Sequence, residues 1–262
     1  MTYQTIDLTI HDGIARLVLN RPESGNSFSP EFSDEFNSAA SELATRRDVR
    51  AVLLSARGRY FSVGGDIGQF SRDLDAMPRT VLEGTSALHM GLARLLRMDA
   101  PLVAAVQGAA MGGALSIVAN CDLVYCGQSA RLGAAYSRIG FSCDLGASFG
   151  LASRIGLARA RRFLLFGEVV DATQAASLGL VDFVVPDADL ATTAEQTARQ
   201  LAAGPTRAFG EVRRLVAQSL GRGIESQLED EAQSIARVAS GPDAREGITA
   251  FVQKREPVFV GI

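Results

Sequence analysis

The amino-acid sequence predicts an α/β fold that is followed by a helical C-terminal region. Short apolar runs alternate with segments of helical periodicity up to about residue 190, which is the pattern of a sheet covered by helices. Beyond that point the pattern is almost entirely helical, and it is interrupted at Gly204-Pro205 and Gly241-Pro242. We therefore expect a core over residues 1–195 and a helical region over residues 196–262.

Turn and capping signals predict the first elements. The Asp12-Gly13 pair stands between two alternating apolar runs, which indicates a β-hairpin. Ser29 can cap a helix that has Pro30 at its first position. The expected strands cover residues 3–10, 14–19, 51–55, 101–106 and 122–126. The expected helices cover residues 30–47, 85–98 and 113–119, with a mobile loop or short helix over 71–82.

Composition limits the kinds of partner. The chain has 262 residues, 47% of them hydrophobic and 21% charged, and a net charge of −3, so a globular core is expected and a nucleic-acid partner is not. Three cysteines without regular spacing predict neither a disulfide framework nor a metal site. We find no signal peptide and no apolar run of membrane-spanning length, and we expect a soluble cytoplasmic protein without membrane contact.

Two glycine-containing loops can present backbone amides to a ligand. One covers residues 60–67, and the other, Gly108–Gly113, precedes a predicted helix. The first amides of a helix have no partner within it and carry partial positive charge. Two such amides aimed at one point would form an oxyanion hole, although such glycines also serve as caps or allow tight packing. Neither loop matches a nucleotide-binding motif.

Together these segments resemble the crotonase, or enoyl-CoA hydratase/isomerase, superfamily. The matching segments occur in the family's order along nearly the whole chain. They are Leu19-Asn20-Arg21-Pro22, residues 58–67, residues 101–108, Met111-Gly112-Gly113, Cys121-Asp122, residues 176–181 and residues 245–251.

The resemblance implies a fold, a substrate class and a set of binding residues. It implies a spiral of ββα units, assembled as a homotrimer or hexamer through C-terminal helices, and an acyl-CoA thioester substrate with no cofactor beyond its CoA moiety. It assigns the oxyanion amides to Gly65 and Gly113. The CoA-binding residues that it implies are Phe61, Val63, Asp66, Ile67, Arg21, Phe251 and Lys254.

Two glutamates that hydratases of this family use are replaced here. Ser116 and Tyr136 stand at those positions. Adding water to a double bond needs a base for the water and an acid for the α-carbon, and a hydroxyl or a phenol is a poor substitute near neutral pH. The sequence therefore argues against ordinary hydratase activity.

Asp144 is the acid in a suitable place. It precedes a predicted helix, so it could be a helix N-cap. Relatives with an Asp here include enoyl-CoA isomerases of fatty-acid metabolism and an isomerase of aromatic degradation. A single carboxylate suits a 1,3 proton shift, and burial among Phe141, Leu145 and Phe149 would raise its pKa.

His89 keeps other functions open. A crotonase relative, chlorobenzoyl-CoA dehalogenase, has a catalytic His at the equivalent spacing and an Asp nucleophile at the position of Asp144, with an aromatic residue where Tyr136 falls. An aryl-CoA dehalogenase-like hydrolase is therefore an alternative. A catalytically silent CoA-binding homologue is another, because both glutamates are missing.

Overall fold

The computed structural model describes residues 3–262, and its framework is a six-stranded sheet with strand order β1-β2-β3-β4-β6-β9. Only β1 and β2 pair antiparallel; the other neighbours in this sheet are parallel. A second sheet has the order β5-β7-β8. The strands are β1 (Ile6–His11), β2 (Ile14–Leu19), β3 (Ala51–Ala56), β4 (Leu102–Val106), β5 (Ala109–Met111), β6 (Leu123–Gly127), β7 (Arg131–Gly133), β8 (Val169–Asp171) and β9 (Phe183–Val185).

Helices cover this framework and form the C-terminal region. They are α1 (Pro30–Ala44), α2 (Ile67–Phe70), α3 (Met77–Arg97), α4 (Gly113–Ala119), α5 (Ala147–Ile155), α6 (Leu157–Phe166), α7 (Ala172–Leu178), α8 (Leu190–Ala202), α9 (Thr206–Ser219), α10 (Ile224–Ala239) and α11 (Pro242–Gln253). The predicted α/β core with a helical C-terminal region is therefore confirmed. The boundary at residue 195 stays a prediction, and α8 runs across it.

The local signals near the N-terminus act as expected. Asp12 and Gly13 both have positive φ angles, 53° and 75°, which suit the tight turn of a hairpin. The Ser29 hydroxyl accepts a hydrogen bond from the Phe32 amide at 3.2 Å, so Ser29 caps α1, which has Pro30 in its first turn. The helix ends three residues before the predicted end at residue 47.

Helix α3 begins eight residues earlier than the sequence pattern predicted. The second half of the stretch 71–82 is therefore the start of a long helix, and Pro78 lies in the first turn, where a missing amide is tolerated. Gly91 allows α3 to pack closely on α1, because a Cβ at this position would lie 2.9 Å from the Phe36 ring. The register of α3 is thus fixed by packing.

The centre of the main sheet is buried on both faces. In β4, Leu102, Ala104 and Val106 belong to the larger hydrophobic cluster, which includes α1 and α3. Val103 and Ala105 point to the opposite face, which α8 covers. Both faces are apolar, as parallel strands between helices require.

The second sheet fixes the position of the first glycine loop. The Ser62 amide donates to the Ala109 carbonyl of β5, and the Met111 amide donates back to the Ser62 carbonyl. On its other side this loop pairs with Phe28, whose amide donates to the Gly64 carbonyl at 2.8 Å. The loop is held between two extended segments, and this brings it beside the start of α4.

Candidate active site

A cleft of about 190 Å³ opens between α3, the loop after β3 and the start of α4. Its walls are mostly apolar side chains from these elements. Several of the residues predicted to bind or react line it together: Val63, Gly65, Ile67, Gly113, Tyr136, Phe141 and Asp144. The fold thus brings together residues that lie up to 81 positions apart in the chain, as an active site requires.

The first candidate oxyanion donor is the amide of Gly65. Phe28 pairs with the loop on both sides of Gly65: its amide donates to the Gly64 carbonyl, and its carbonyl accepts from the Asp66 amide. The Gly65 amide has no acceptor among residues 3–262. Gly64 has a φ of 88°, and a Cβ there would lie 2.6 Å from the Met111 carbonyl oxygen, so this approach of loop to strand requires glycine.

The second candidate donor is the amide of Gly113, the first residue of α4. Gly112 precedes it with a φ of 53° and a ψ of −122°, a conformation that favours glycine. The Gly112 amide donates to the Gly133 carbonyl, whereas the Gly113 amide has no acceptor within the described chain. Both glycines border the cleft in which Asp144 lies.

Asp144 is the only carboxylate among the residues of the described chain that line the cleft. Its side chain does not cap a helix: the N-cap of α5 is Gly146. The Asp144 carboxyl accepts a hydrogen bond from the Tyr136 hydroxyl at 2.5 Å. Burial raises the pKa of Asp144, although the hydrogen bond from Tyr136 acts in the opposite direction. An acid group with a raised pKa in a cleft is typical of a catalytic site.

The apolar surroundings of Asp144 are only partly those expected from the sequence. Phe141 lines the cleft, and Leu145 is buried. Phe149 is 46% exposed and lines a different groove, beside α9. The expectation that Phe149 shields Asp144 was wrong, because α5 begins at residue 147 and turns this side chain outward.

Ser116 and Tyr136 stand at the two glutamate positions, and their side-chain hydroxyls contact each other. Tyr136 also contacts Asp144. The Ser116 Oγ lies 2.7 Å from the Tyr136 hydroxyl oxygen, and Ser116 is fully buried. Burial and the neighbouring Asp144 raise the pKa of the Tyr136 phenol. Tyr136 therefore stays neutral and can act as a hydrogen-bond donor. The sequence pattern predicted neither the contact between Ser116 and Tyr136 nor the one between Tyr136 and Asp144.

His89 lies next to the Asp144 segment but outside the lining of the cleft. The side chain is on the exposed side of α3. Its Nε2 accepts a hydrogen bond from the Leu145 amide at 3.0 Å. Nothing in the sequence pattern signals this contact, because the two residues are 56 positions apart.

Four of the predicted CoA-binding residues lie in the loop after β3 and at the start of α2. Val63 and Ile67 are 42% and 51% exposed and border the cleft. Asp66 caps α2 by accepting from the Gln69 amide. Phe61 is 0% exposed, so its side chain belongs to the core and only its backbone could approach a ligand. A binding role for these four stays a prediction.

The other three predicted CoA-binding residues lie outside the cleft lining. The Arg21 guanidinium donates to the Ser27 carbonyl. Phe251 is 85% exposed near the end of α11, and Lys254 follows it with a φ of 56°. Their predicted role in CoA binding remains to be tested.

Helix α3 supplies a wall of the cleft that the sequence pattern did not reveal in detail. Thr80, Val81, Gly84 and Thr85 line the cleft from this helix. The sequence predicted a mobile loop or short helix over residues 71–82. The spacing of the four lining residues is that of one helix face, which is the signal that could have found them.

Two kinds of feature are absent from residues 3–262. No cluster of three or more His, Cys, Asp or Glu side chains could hold a metal ion. No helix in this range combines the length and hydrophobicity that crossing a bilayer requires.

Comparison with known proteins places this geometry in a known family. The family model described as enoyl-CoA hydratase/isomerase matches residues 9–261. The crystal structure of an enoyl-CoA hydratase/isomerase from Mycobacterium abscessus is 33% identical and superposes with a TM-score of 0.92, over 98% of this chain and 100% of that one. The crotonase-like fold expected from the resemblance is therefore confirmed.

Two curated relatives differ in the reactions that their names state. The 1,2-epoxyphenylacetyl-CoA isomerase of Escherichia coli is 31% identical over 96% of this chain and 97% of its own. The 4-chlorobenzoyl coenzyme A dehalogenase-2 of an Arthrobacter species is 31% identical over 93% of this chain and 88% of its own.

Proposed function

Because the chain belongs to the enoyl-CoA hydratase/isomerase family, we propose that it is an enoyl-CoA isomerase that moves a double bond with one carboxylate, Asp144. The amides of Gly65 and Gly113 hold the thioester oxygen. No cofactor is needed beyond the CoA moiety of the substrate. The observation that carries this proposal is that Asp144 is the one carboxylate lining the cleft within residues 3–262.

The proposed reaction is a proton shift along the acyl chain. The Asp144 carboxylate removes a proton from C2 of a 3-enoyl thioester, and the electron pair moves to the carbonyl oxygen. The two glycine amides stabilise the resulting dienolate. The protonated Asp144 then returns the proton to C4, which leaves a double bond between C2 and C3. No water, oxidant or reductant is consumed.

The environment of Asp144 supports this role. A general base is most effective when its pKa lies near the working pH, and burial raises the pKa of Asp144 toward that range. The same group must bind the proton between the two steps, which a carboxyl with a raised pKa does better than an ordinary Asp. Hydration would need a second group to activate water, and the cleft within the described chain offers no other carboxylate.

The test is proton exchange and isomerisation with 3-enoyl-, 2-enoyl- and aryl-CoA thioesters in deuterated water. The wild-type protein and Asp144→Asn are compared, since Asn keeps the shape of the side chain and removes the base. We expect deuterium incorporation and double-bond movement with the wild type alone. Full turnover by Asp144→Asn would refute the proposal.

A second candidate is an Asp-nucleophile aryl-CoA hydrolase. The observation that favours it is the similarity to a chlorobenzoyl-CoA dehalogenase along most of the chain. There the Asp144 carboxylate would attack the ring carbon, halide would leave, and water would cleave the aryl ester. A single turnover in labelled water would then place solvent oxygen in Asp144. Binding of thioesters without exchange or turnover would instead indicate a silent homologue.

A further inference from the structure

We propose that His89 is a positioning residue: as a neutral imidazole it accepts the Leu145 amide and thereby fixes the carboxylate of Asp144 in the cleft. The inference rests on the proposed function of Asp144. It differs from a direct catalytic role, because His89 acts through the peptide that follows Asp144.

The hydrogen bond determines the form of the imidazole. The Leu145 amide donates to His89 Nε2 at 3.0 Å, so this nitrogen must carry a lone pair. A neutral imidazole with an acceptor at Nε2 has its proton on Nδ1. The lone pair that a general base would use at Nε2 is therefore already occupied.

The segment that His89 holds has an unusual backbone. Leu145 has a φ of 49° and Gly146 a φ of 71°, and the left-handed region is unfavourable for a residue with a Cβ. The Asn120 side-chain amide donates to the Gly146 carbonyl at 3.2 Å. His89 holds the other end of this turn, at the peptide joining Asp144 to Leu145. Such a conformation persists only when its surroundings fix it.

Leu145 connects this turn to the proposed oxyanion site. Its side chain is 1% exposed. A Cβ on Gly113 would lie 2.9 Å from Leu145 Cδ1, so the leucine packs directly against a glycine that lines the cleft. A shift of Leu145 would displace the carboxylate of Asp144 and disturb the neighbouring Gly113 together.

Helix α3 holds the backbone of His89 in place for its hydrogen bond with the Leu145 amide. Leu88, Gly91 and Leu92 are buried on either side of His89 in sequence, so the backbone at position 89 is fixed by the core. The imidazole itself is exposed and does not line the cleft. Replacing it should leave the fold intact.

Two matched variants test the inference. In His89→Gln, the side-chain amide oxygen is as many bonds from the backbone as Nε2, and it accepts a hydrogen bond but is not a base. His89→Leu has no acceptor. We expect kcat of His89→Leu to fall about tenfold to a hundredfold with KM little changed, as for a misplaced catalytic group. His89→Gln should keep most of the wild-type kcat.

A structural measurement accompanies the kinetics. Hydrogen–deuterium exchange of the peptide containing Leu145 should be faster in His89→Leu than in the wild type, and near the wild-type rate in His89→Gln. Thermal melting checks that both variants are folded, and His89→Ala replaces the leucine variant if that one does not fold.

The outcomes separate this inference from the proposed function. Equal loss of kcat in both His89 variants would overturn it, since the imidazole itself would then be required. A wild-type kcat in His89→Leu, together with an inactive Asp144→Asn, would overturn the inference about His89 and leave the proposed function standing. Turnover by Asp144→Asn would overturn the proposed function and this inference with it. The inference would be supported if kcat falls in His89→Leu and is kept in His89→Gln, and if the exchange of the Leu145 peptide is faster in His89→Leu alone.

Discussion

The hydroxyl of Tyr136 tunes the carboxyl of Asp144 through a single hydrogen bond. Burial raises the pKa of Asp144, and the bond from Tyr136 lowers it. The base form of Asp144 exists above its pKa, so the proposed isomerase loses activity as the pH falls through a value above that of an ordinary Asp. Tyr136 and Asp144 therefore set the acidic limit of activity together.

Tyr136→Phe should move this limit to higher pH. The variant removes the hydrogen bond that lowers the pKa of Asp144 and leaves the burial that raises it, so a higher pH is needed to form the carboxylate. The measurement is the pH profile of kcat/KM on an enoyl-CoA substrate. Ser116→Ala is the control, because Ser116 touches Tyr136 but not Asp144 and should have a smaller effect. An acidic limb that stays in place or moves to lower pH would contradict the assignment.

Gly113→Ala should reduce kcat and lower the stability by about 1–3 kcal/mol, because the added methyl group overpacks a filled part of the core. The new Cβ would meet Leu145 Cδ1 at 2.9 Å and the Phe28 ring at 3.1 Å, so the helix start must shift relative to the cleft. Weakening one oxyanion donor costs up to about a hundredfold to a thousandfold in kcat, and we expect a loss of about tenfold or more. Gly68→Ala, whose Cβ would make only an ordinary contact at 3.4 Å, is the control. Equal kcat values for both variants would argue against a role for the Gly113 amide.

Among the elements, those with local signals were predicted well and those fixed by packing were not. The hairpin at Asp12-Gly13 and the start of α1 at Ser29 depend on turn and capping chemistry that lies within a few residues. Helix α3 has no capping side chain at its start, where the N-cap is Ala76. One face of its first two turns borders the cleft, and the spacing of the residues on that face is a weaker signal than a helix cap.

In the candidate site, the main residues were predicted from the sequence and their contacts were not. The sequence resemblance pointed to Gly65, Gly113 and Asp144, and the structure gathers them around one cleft. The contacts that control Asp144 were not predictable. Those to Tyr136 and His89 depend on turns and packing between different elements, and the second one reaches Asp144 only through the Leu145 peptide.

The C-terminal helices α9 and α10 are joined by an acidic side chain that should affect stability at low pH. Burial raises the pKa of Glu211, but hydrogen bonds from Ser234, Arg237 and Arg214 outweigh it and hold the pKa at about 2. A depressed carboxyl pKa adds stability above the unfolded value, and this stability is lost as the pH falls toward the folded value.

Glu211→Gln tests this contribution. We expect the wild-type Tm to fall between about pH 4.5, the ordinary value, and about pH 2, and the variant to have a lower Tm at neutral pH with a shallower acid dependence. Because two of the three partners are partly exposed arginines, the neutral-pH loss should be modest, on the order of 1 kcal/mol. Glu225→Gln, at the exposed start of α10, is the control. Parallel acid profiles for wild type and Glu211→Gln would contradict the assignment.

At the scale of the whole molecule, the C-terminal region is attached to the core but leaves much apolar surface uncovered. Arg50 of the core donates to the carbonyls of Gly204 and Phe259, and Arg213 of α9 forms an ion pair with Asp122. Large apolar side chains of α9, α10 and α11 nevertheless remain exposed: Val212, Val216, Leu228, Ile235, Ile248, Phe251 and Val252. Exposed apolar surface of this extent marks an interaction site.

We therefore expect a homotrimer, or a hexamer of paired trimers, assembled through these helices. Phe251→Asp and Val216→Asp would place a charge within the contact, where burying an unpaired carboxylate is unfavourable, so both variants should dissociate at micromolar concentration. Light scattering coupled to size-exclusion chromatography measures the mass. Leu74→Asp, which changes a side chain that is 66% exposed outside these helices, should assemble as the wild type does. A wild-type protein of monomeric mass would refute the assembly, and dissociation by Leu74→Asp would place the contact elsewhere. Activity measured across the same concentrations would then show whether the cleft of a single chain suffices for turnover.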